Sequence, residues 1–474
     1  MTTRESAQQV DSFDIVILGG GTGGYVAAIR AAQLGLRTAV VERDKLGGTC
    51  LHRGCIPTKA LLESAEVLSL LRRSKEFGVE ASGVSLDYTQ ALKRKDQVVG
   101  QLHQGVELLM RRNGITVVKG EGRAASPQRV IVSDGSAGRE LTCSKLIVAT
   151  GSRPRSLPGL AIDGDRVISS DHALDLLEVP KSIIIVGAGA VGVEFASLYR
   201  DMGSEVTLVE LMPTLVPLED KDVGVTLQRL FTRRGIKVMT GARVISESLK
   251  LNSDSVEVDV TVGEKREMVR GERLLVAVGR EGILDALDGL KLQTERGYIK
   301  TDEYMGTGEP GVYAIGDVNG GLLLAHVAAA EGTLAVEHAA GQKVRPLDYN
   351  RVPRCTYCRP QIASIGLSED DAKSQGHKVK IGRFPFQANG RALILGEADG
   401  FVKMVSDEES GEILGVHIIG PHATELIAES ALARLLEATP LELALSIHAH
   451  PTLSEAVGEA AHDLEGRPIH IWRG

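Results

Sequence analysis

The chain has 474 residues, 43% of them hydrophobic, 24% charged and 3% aromatic, with a formal charge of −8. That length exceeds what one hydrophobic core can serve, so several domains are expected, and the ordinary globular composition argues against a disordered or fibrous chain. The acidic balance and the lack of any basic run argue against nucleic acid or an anionic membrane as the main partner, which leaves small molecules and proteins.

Residues 1–12 are polar and lack the apolar core of a secretory signal, and no apolar run is long enough to span a membrane, so a soluble cytoplasmic protein is expected. Residues 13–18 then read as a buried strand that runs into GGGTGG (residues 19–24) and an alanine-rich helical pattern to Leu34. A second strand, residues 38–41, ends at Glu42. The same order recurs when strand 182–186 leads into GAGAVG (residues 187–192), a helix to Tyr199 and a strand 205–209 ending at Glu210. First glycine and acid are 23 positions apart in both units, 19 to 42 and 187 to 210.

Between these βαβ units lie a helical stretch, residues 89–112, and a strand, 146–149, ending at Thr150 and Gly151. After the second unit come two strand-to-turn points, residues 274–280 and 312–317. From about Val352 the character changes to strands at 400–405 and 413–418 and a helix at 423–436, as in a separate α+β domain. The expected fold is α/β, with two Rossmann-like dinucleotide-binding domains and an α+β C-terminal dimerisation domain. The expected division is residues 11–155, 156–281, 282–349 and 350–474.

Gly19, Gly21 and Gly24 are spaced GxGxxG, which supplies a tight turn, close approach of the backbone to a pyrophosphate, and close helix-to-strand packing. The helix N-terminus then faces the phosphates, and Glu42 can accept hydrogen bonds from a ribose diol. Gly187, Gly189, Gly192 and Glu210 repeat the design. Glycines also punctuate ordinary turns, but two copies in strand-turn-helix-strand-acid context point to two nucleotide sites, and so to electron transfer between two cofactors. Glu210 would repel a 2′-phosphate and residues 211–216 hold no arginine, which favours NAD over NADP at the second site.

Five cysteines do not make a disulfide scaffold, and the close pair Cys50 and Cys55 stands out. In a regular helix their Cα atoms would be about 8.6 Å apart, beyond the roughly 7 Å limit for a disulfide. A bonded pair therefore needs a distorted segment, which Gly47, Gly48, Gly54 and Pro57 permit. A helix starting near Pro57 would put Cys55 at its positive end, where a thiolate is favoured. Two buried structural cysteines, or half of a zinc site, are the other readings.

The string GGTCLHRGCIPTKAL after an N-terminal GxGxxG resembles the active-site segment of the FAD-dependent pyridine nucleotide-disulfide oxidoreductases, typically GGTCLNxGCIPxK; His52 and Arg53 depart from it. The resemblance extends through ATG (residues 149–151), Glu194, VGR (278–280, with Gly279), AIGD (314–317) and HAHPTLSE (448–455). It implies FAD and NAD as cofactors, with Cys50 as the thiol that meets substrate and Cys55 as the one beside the flavin. It further implies an ion pair of Lys59 and Glu194 near the flavin, Asp317 on its ribityl chain and His326 close by, with Thr150 and Gly151 at the same cofactor. His450 would be the base and Glu455 the carboxylate that orients it. The branch it most resembles oxidises dihydrolipoyl groups, on a lipoyl carrier protein or acyltransferase core, and works as a homodimer in which His450 reaches Cys50 of the other subunit. A glutathione or mercuric reductase type, or a non-catalytic complex subunit, are the rivals.

Two readings of the last motif compete. Residues 452–455 also fit a capping box, and Glu455 is not expected to bond His450 and the Thr452 backbone together. Cys143 reads as buried core, His448 has no assigned role, and Cys355 with Cys358 form a CxxC whose redox use is not expected.

Overall fold

The computed structural model describes residues 10–133 and 138–472; residues 1–9 of the polar N-terminal stretch and the last two of the C-terminal GRPIHIWRG lie outside the described residues. The described residues divide into two compact units, those within 1–60, 93–155 and 280–347 and those within 61–92, 156–279 and 348–474.

The first unit is built on a sheet whose parallel strands run in the order Thr116–Lys119, Thr38–Glu42, Val10–Leu18, Arg139–Val148 and Val312–Ala314. An antiparallel pair, Glu121–Ser126 and Arg129–Ser133, joins the beginning of Arg139–Val148. Val16 and Leu18 pack into one core and Ile15 and Ile17 into another, as the two-residue period of a strand buried on both faces requires. Leu18 is in register with Val41 and Val148, and Val148 with Ala314. Four strands thus end side by side, which gathers Gly19, Glu42, Thr150 and Asp317 at one carboxyl edge, where open α/β sheets bind their ligands. Helix α1 (Thr22–Gln33) follows the first strand; α2 (Gly48–Arg53), α3 (Cys55–Arg72) and α4 (Tyr88–Arg112) follow in turn.

The second unit repeats the plan with parallel strands ordered Lys237–Met239, Glu205–Val209, Ser182–Val186, Arg273–Val276 and Val167–Ile168, and the helix Ala190–Met202 after the glycine turn. Its C-terminal part is an antiparallel sheet, Arg354–Thr356, Gln361–Gly366, Ile413–Gly420, Phe401–Asp407 and Val379–Pro385, against which the helices Ala423–Leu435 and Glu455–Leu464 pack. The fold class is the expected α/β with an α+β C-terminal part. One element differs, because residues 274–280 form no single strand: Gly279 at φ +111° is outside the strand region, so the chain breaks there and a new strand, Arg280–Gly282, pairs with Ser152–Pro154.

A buried ion cluster ties the second unit together. Lys403, 2% exposed, points Nζ at Asp220 Oδ1 (3.0 Å), Asp222 Oδ2 (2.9 Å) and Glu369 Oε2 (2.8 Å). Asp220 also caps the helix Lys221–Arg233 through Asp222 N–H. Burial works to lower the Lys403 pKa, but the three carboxylates carry it above its ordinary value; hydrogen bonds from Lys373 and Lys403 hold Glu369 below its own. Carboxylates depressed in the folded state contribute stability that is present above their unfolded range and lost as pH falls through the folded one. Lys403→Met should therefore lose about 3–5 kcal/mol at neutral pH, because three buried or half-buried carboxylates lose their cation. Urea unfolding of wild type and variant at neutral and acid pH checks this; the gap should shrink in acid, and equal midpoints at neutral pH would refute it.

Candidate active site

Both glycine turns are shaped by contact with neighbouring backbone. At Gly19 (φ +104°) an added Cβ would lie 2.2 Å from Ala149 O, and at Gly24 it would lie 1.9 Å from Gly19 O. Gly187 and Gly192 repeat this at 2.5 Å from Ala277 O and 1.8 Å from Gly187 O. The middle glycines differ. Gly189 has nothing within 4 Å of such a Cβ and Gly21 has only Gly48 Cα, at 3.9 Å, so both border a cradle that a side chain would fill. Each is the N-cap of a helix with no side-chain cap, which leaves first-turn N–H groups for an anion. The two turns therefore fit dinucleotide pyrophosphates.

The acids have a second task that spacing did not reveal. Glu42 Oε2 accepts Gly20 N–H at 2.7 Å while Oε1 accepts Asp44 N–H; Glu210 Oε2 accepts Ala188 N–H at 2.6 Å while Oε1 accepts Met212 N–H. Each carboxylate pins its glycine turn to the end of the second strand, and its oxygens keep lone pairs for ribose hydroxyls. Beside Glu210 the side chains of Leu211 and Met212 are apolar and exposed.

At the edge of the first sheet, Thr150 Oγ1 donates to Ile283 O at 2.7 Å and Gly151 borders open space. Asp317 accepts the Ser152 hydroxyl, and Arg280 donates to that same hydroxyl oxygen at 2.6 Å. Beneath the turn the wholly buried Glu331 accepts Gly316 N–H at 2.6 Å and the Asn319 amide at 3.0 Å, so the helix Ala325–Ala339 holds the loop that carries Asp317. His326 is exposed near that helix's start. Ser152 and Glu331 were missed as site residues; for Ser152 the available signal was its place directly after ATG, and for Glu331 its place five residues after His326. In the second unit, Gly279 borders open space, and Glu194, 5% exposed, accepts Tyr357 N–H at 2.8 Å.

The cysteine segment is helical on both sides of a break. Gly47 (φ +103°) and Gly48 (φ +57°) turn the chain into α2, and Gly54 (φ −145°, ψ −109°) ends it before α3 begins at Cys55. That break lets residues five apart meet: the thiols are unbonded and share a hydrogen bond. The bond to Cys55 and then burial push the Cys50 pKa up, while Thr22 and Lys59 favour its thiolate. Cys55 stands at the N-terminus of an 18-residue helix, as expected, with half-buried Lys59 a turn further on.

His450 Nδ1 is 2.9 Å from Glu455 Oε1, and Glu455 Oε2 accepts Thr452 N–H at 2.8 Å. The expectation that Glu455 could serve only one of these is corrected, because a carboxylate has two oxygens and each takes one partner. The capping box is only half formed: Thr452 Oγ1 donates to Ala449 O, and the N-cap of Glu455–Leu464 is Ser454. Burial works to raise the Glu455 pKa, but Thr452 N–H and His450 hold it below its ordinary value, so an anion fixes Nδ1–H and leaves Nε2 able to accept a hydrogen bond. The ring borders a cavity of about 250 Å³ shared with His448 and His470. His448 bonds Glu429 at 2.8 Å, which raises its pKa, and His470 bonds Glu459 at 2.7 Å.

Cys143 is buried core. Cys358 packs into one core cluster of the second unit and Cys355 against another, so the CxxC side chains serve separate interiors. Among the described residues no group of three or more His, Cys, Asp or Glu is arranged to hold a metal ion.

Residues 13–332 match the family model described as pyridine nucleotide-disulphide oxidoreductase, and residues 352–461 match its dimerisation domain. The dihydrolipoyl dehydrogenase of Bacillus subtilis is 49% identical over 97% of this chain and 99% of its own, and that of Chlorobaculum tepidum 46% identical over 96% and 98%. Among solved structures, LpdA from Mycobacterium tuberculosis aligns with a TM-score of 0.88 at 30% identity, covering 96% of this chain and 99% of that one. The HOCl-induced flavoprotein disulfide reductase RclA from Escherichia coli aligns with a TM-score of 0.83 at 25% identity, covering 94% and 98%.

The contrast between glycines is testable at the second turn. Gly189→Ala should fold with wild-type thermal stability yet bind NADH at least about tenfold more weakly, since its Cβ enters the cradle without touching protein. Gly192→Ala should instead unfold several degrees lower, because its Cβ meets a carbonyl oxygen. Thermal melts with NADH titration decide it, and equal NADH affinity in Gly189→Ala and wild type would sink the assignment.

Proposed function

The chain belongs to the pyridine nucleotide-disulphide oxidoreductase family, and from that premise we propose that it oxidises protein-bound dihydrolipoyl groups with NAD. It is an oxidoreductase that uses FAD and NAD(H), and it carries a dimerisation domain. The observation that carries the reading is a helix break bringing Cys50 to Cys55, in a chain that also presents a base of fixed tautomer, His450 on Glu455.

In the proposed half-reaction a substrate thiol gives its proton to His450 Nε2, and its thiolate attacks Cys50 Sγ of the Cys50–Cys55 disulfide. The S–S bond breaks and Cys55 departs as a thiolate, stabilised at the N-terminus of α3. The second substrate thiol attacks the substrate sulfur of the mixed disulfide, closing the lipoyl ring; its proton ends on the departing Cys50 sulfur. Bound FAD would supply the redox chemistry that links this dithiol, through Cys55, to NAD. The proposal includes His450 serving Cys50 of the partner protomer, and Lys59 with Glu194 as an ion pair near the flavin. The glycine, Glu42, Thr150, Asp317 and His326 positions hold FAD; Gly187 to Glu210 and Gly279 hold NAD.

The lipoyl group would be supplied by a separate carrier protein or acyltransferase core. Cytoplasmic residence is part of the proposal; no helix among the described residues is long and apolar enough to cross a membrane. Against a glutathione reductase type stands the lack of arginine at residues 211–216.

Turnover with NAD should exceed that with NADP strongly at equal concentration, and Leu211→Arg with Met212→Arg should narrow the gap. Equal use of both coenzymes by wild type would reject the site. His450→Gln should lose about 10² to 10⁴ in flavin reduction by dihydrolipoamide, with far less change in reduction by NADH. Glu455→Gln should show a milder loss of the same kind. Stopped-flow absorbance with each reductant measures both, and unimpaired dihydrolipoamide reduction in His450→Gln would remove the base assignment.

A further inference from the structure

His52 stands where the typical segment GGTCLNxGCIPxK has asparagine, and the chemistry above makes no use of it. Its Nε2 lies 2.9 Å from Leu46 O, and the same carbonyl is 3.1 Å from Nδ1 of His103 on α4. The rings meet edge to face, centroids 5.0 Å apart at 72°. A carbonyl oxygen only accepts, so both facing nitrogens must carry hydrogen. His103 Nε2 is in turn 3.4 Å from Glu107 Oε1. Leu46 is buried and immediately precedes the two left-handed glycines that lead into α2.

We propose that His52 is a positioning residue for Cys50: together with His103 it clamps the Leu46 carbonyl and so fixes how α2 presents the Cys50 sulfur to Cys55 and Thr22. The inference rests on the reading that Cys50 is the substrate-facing thiol. Cys50 and His52 share a six-residue helix bounded by Gly47 and Gly54, far too short to be stable alone. A bond from its last turn back to Leu46, the residue before its N-cap Gly47, closes that helix into a loop and sets its rotation. The bond to Cys55, which does most to raise the sulfur's pKa, and the weaker opposing pull of Thr22 and Lys59 all depend on that rotation. An asparagine amide ends about where imidazole Nδ1 sits and falls short of Nε2, whereas glutamine reaches as far. The charged groups around His52 are His103, Lys45 and Asp44, the last paired with Arg53; Glu107 faces His103. Burial above all, with His103 and Lys45, pushes the His52 pKa down against the pull of Leu46 O and Asp44, so the clamp works with a neutral His52 at neutral pH.

The test is the pH profile of Cys50 alkylation by iodoacetamide, in holoenzyme reduced with a phosphine and with the modified peptide identified by mass. His52→Leu should alkylate about tenfold faster at neutral pH, with the profile moved about one unit downward, because the Cys55 bond that holds the Cys50 pKa up is loosened. His52→Gln should restore the wild-type profile and His52→Asn should not. His103→Leu, remote from α2 in sequence, should show a smaller shift in the same direction. FAD content and flavin reduction by NADH should be unchanged throughout. A wild-type profile in His52→Leu, failure of glutamine to restore it, or loss of FAD in step with the change in reactivity would each overturn the clamp. If the profile moves as stated while wild type is not reduced by dihydrolipoamide, the clamp stands and the proposed substrate falls.

Discussion

At Gly24 and Gly192 the first turn of a helix passes against the carbonyl of the glycine that ended the preceding strand, with less than 2 Å left for any Cβ. That contact aims each helix N-terminus at the carboxyl edge of its sheet. Glu42 and Glu210 reach back from the next strand to the backbone of the same turn, so strand, turn and helix are locked as one rigid corner. In the first unit, the in-register ends of four strands place Thr150 and Asp317 on the same edge. A cofactor bound there meets groups held by the sheet, the precision that electron transfer between bound partners requires.

The redox segment uses the opposite strategy. Where the nucleotide corners are over-determined, the cysteines sit on either side of a glycine that interrupts two helices, and the short helix carrying Cys50 has left-handed glycines at its entry. That interruption lets Cys50 reach Cys55, which an unbroken helix would not allow. Cys55, at the head of a long helix, has a fixed position and a positive electrostatic environment. The same division holds in the C-terminal part, where an exposed imidazole, free at one nitrogen, is oriented by a carboxylate anchored to the helix it precedes.

Three carboxylates each carry out more than one task. Asp220 caps a helix and neutralises Lys403, Glu331 satisfies a loop N–H and an amide, and Glu455 holds both an imidazole and a backbone N–H. A buried carboxylate is costly unless it is hydrogen-bonded, and these positions are satisfied by partners that range from three residues away, at Glu455, to 183 residues away, at Asp220.

The sequence by itself determined the two βαβ corners, the α+β change near Val352 and the need for a break between Cys50 and Cys55. Each of these is written in local spacing: period-two runs, glycines a fixed number of residues from an acid, cysteines too far apart for an unbroken helix. Only the tertiary structure decided that Glu455 serves two partners, that Cys355 and Cys358 face different interiors, that Asp317 leans on Ser152 from 165 residues away, and that His52 meets His103 over one carbonyl. Periodicity states which face of an element is buried, but which polar atom on that face meets which depends on the register between elements, and that is set by packing across the whole core.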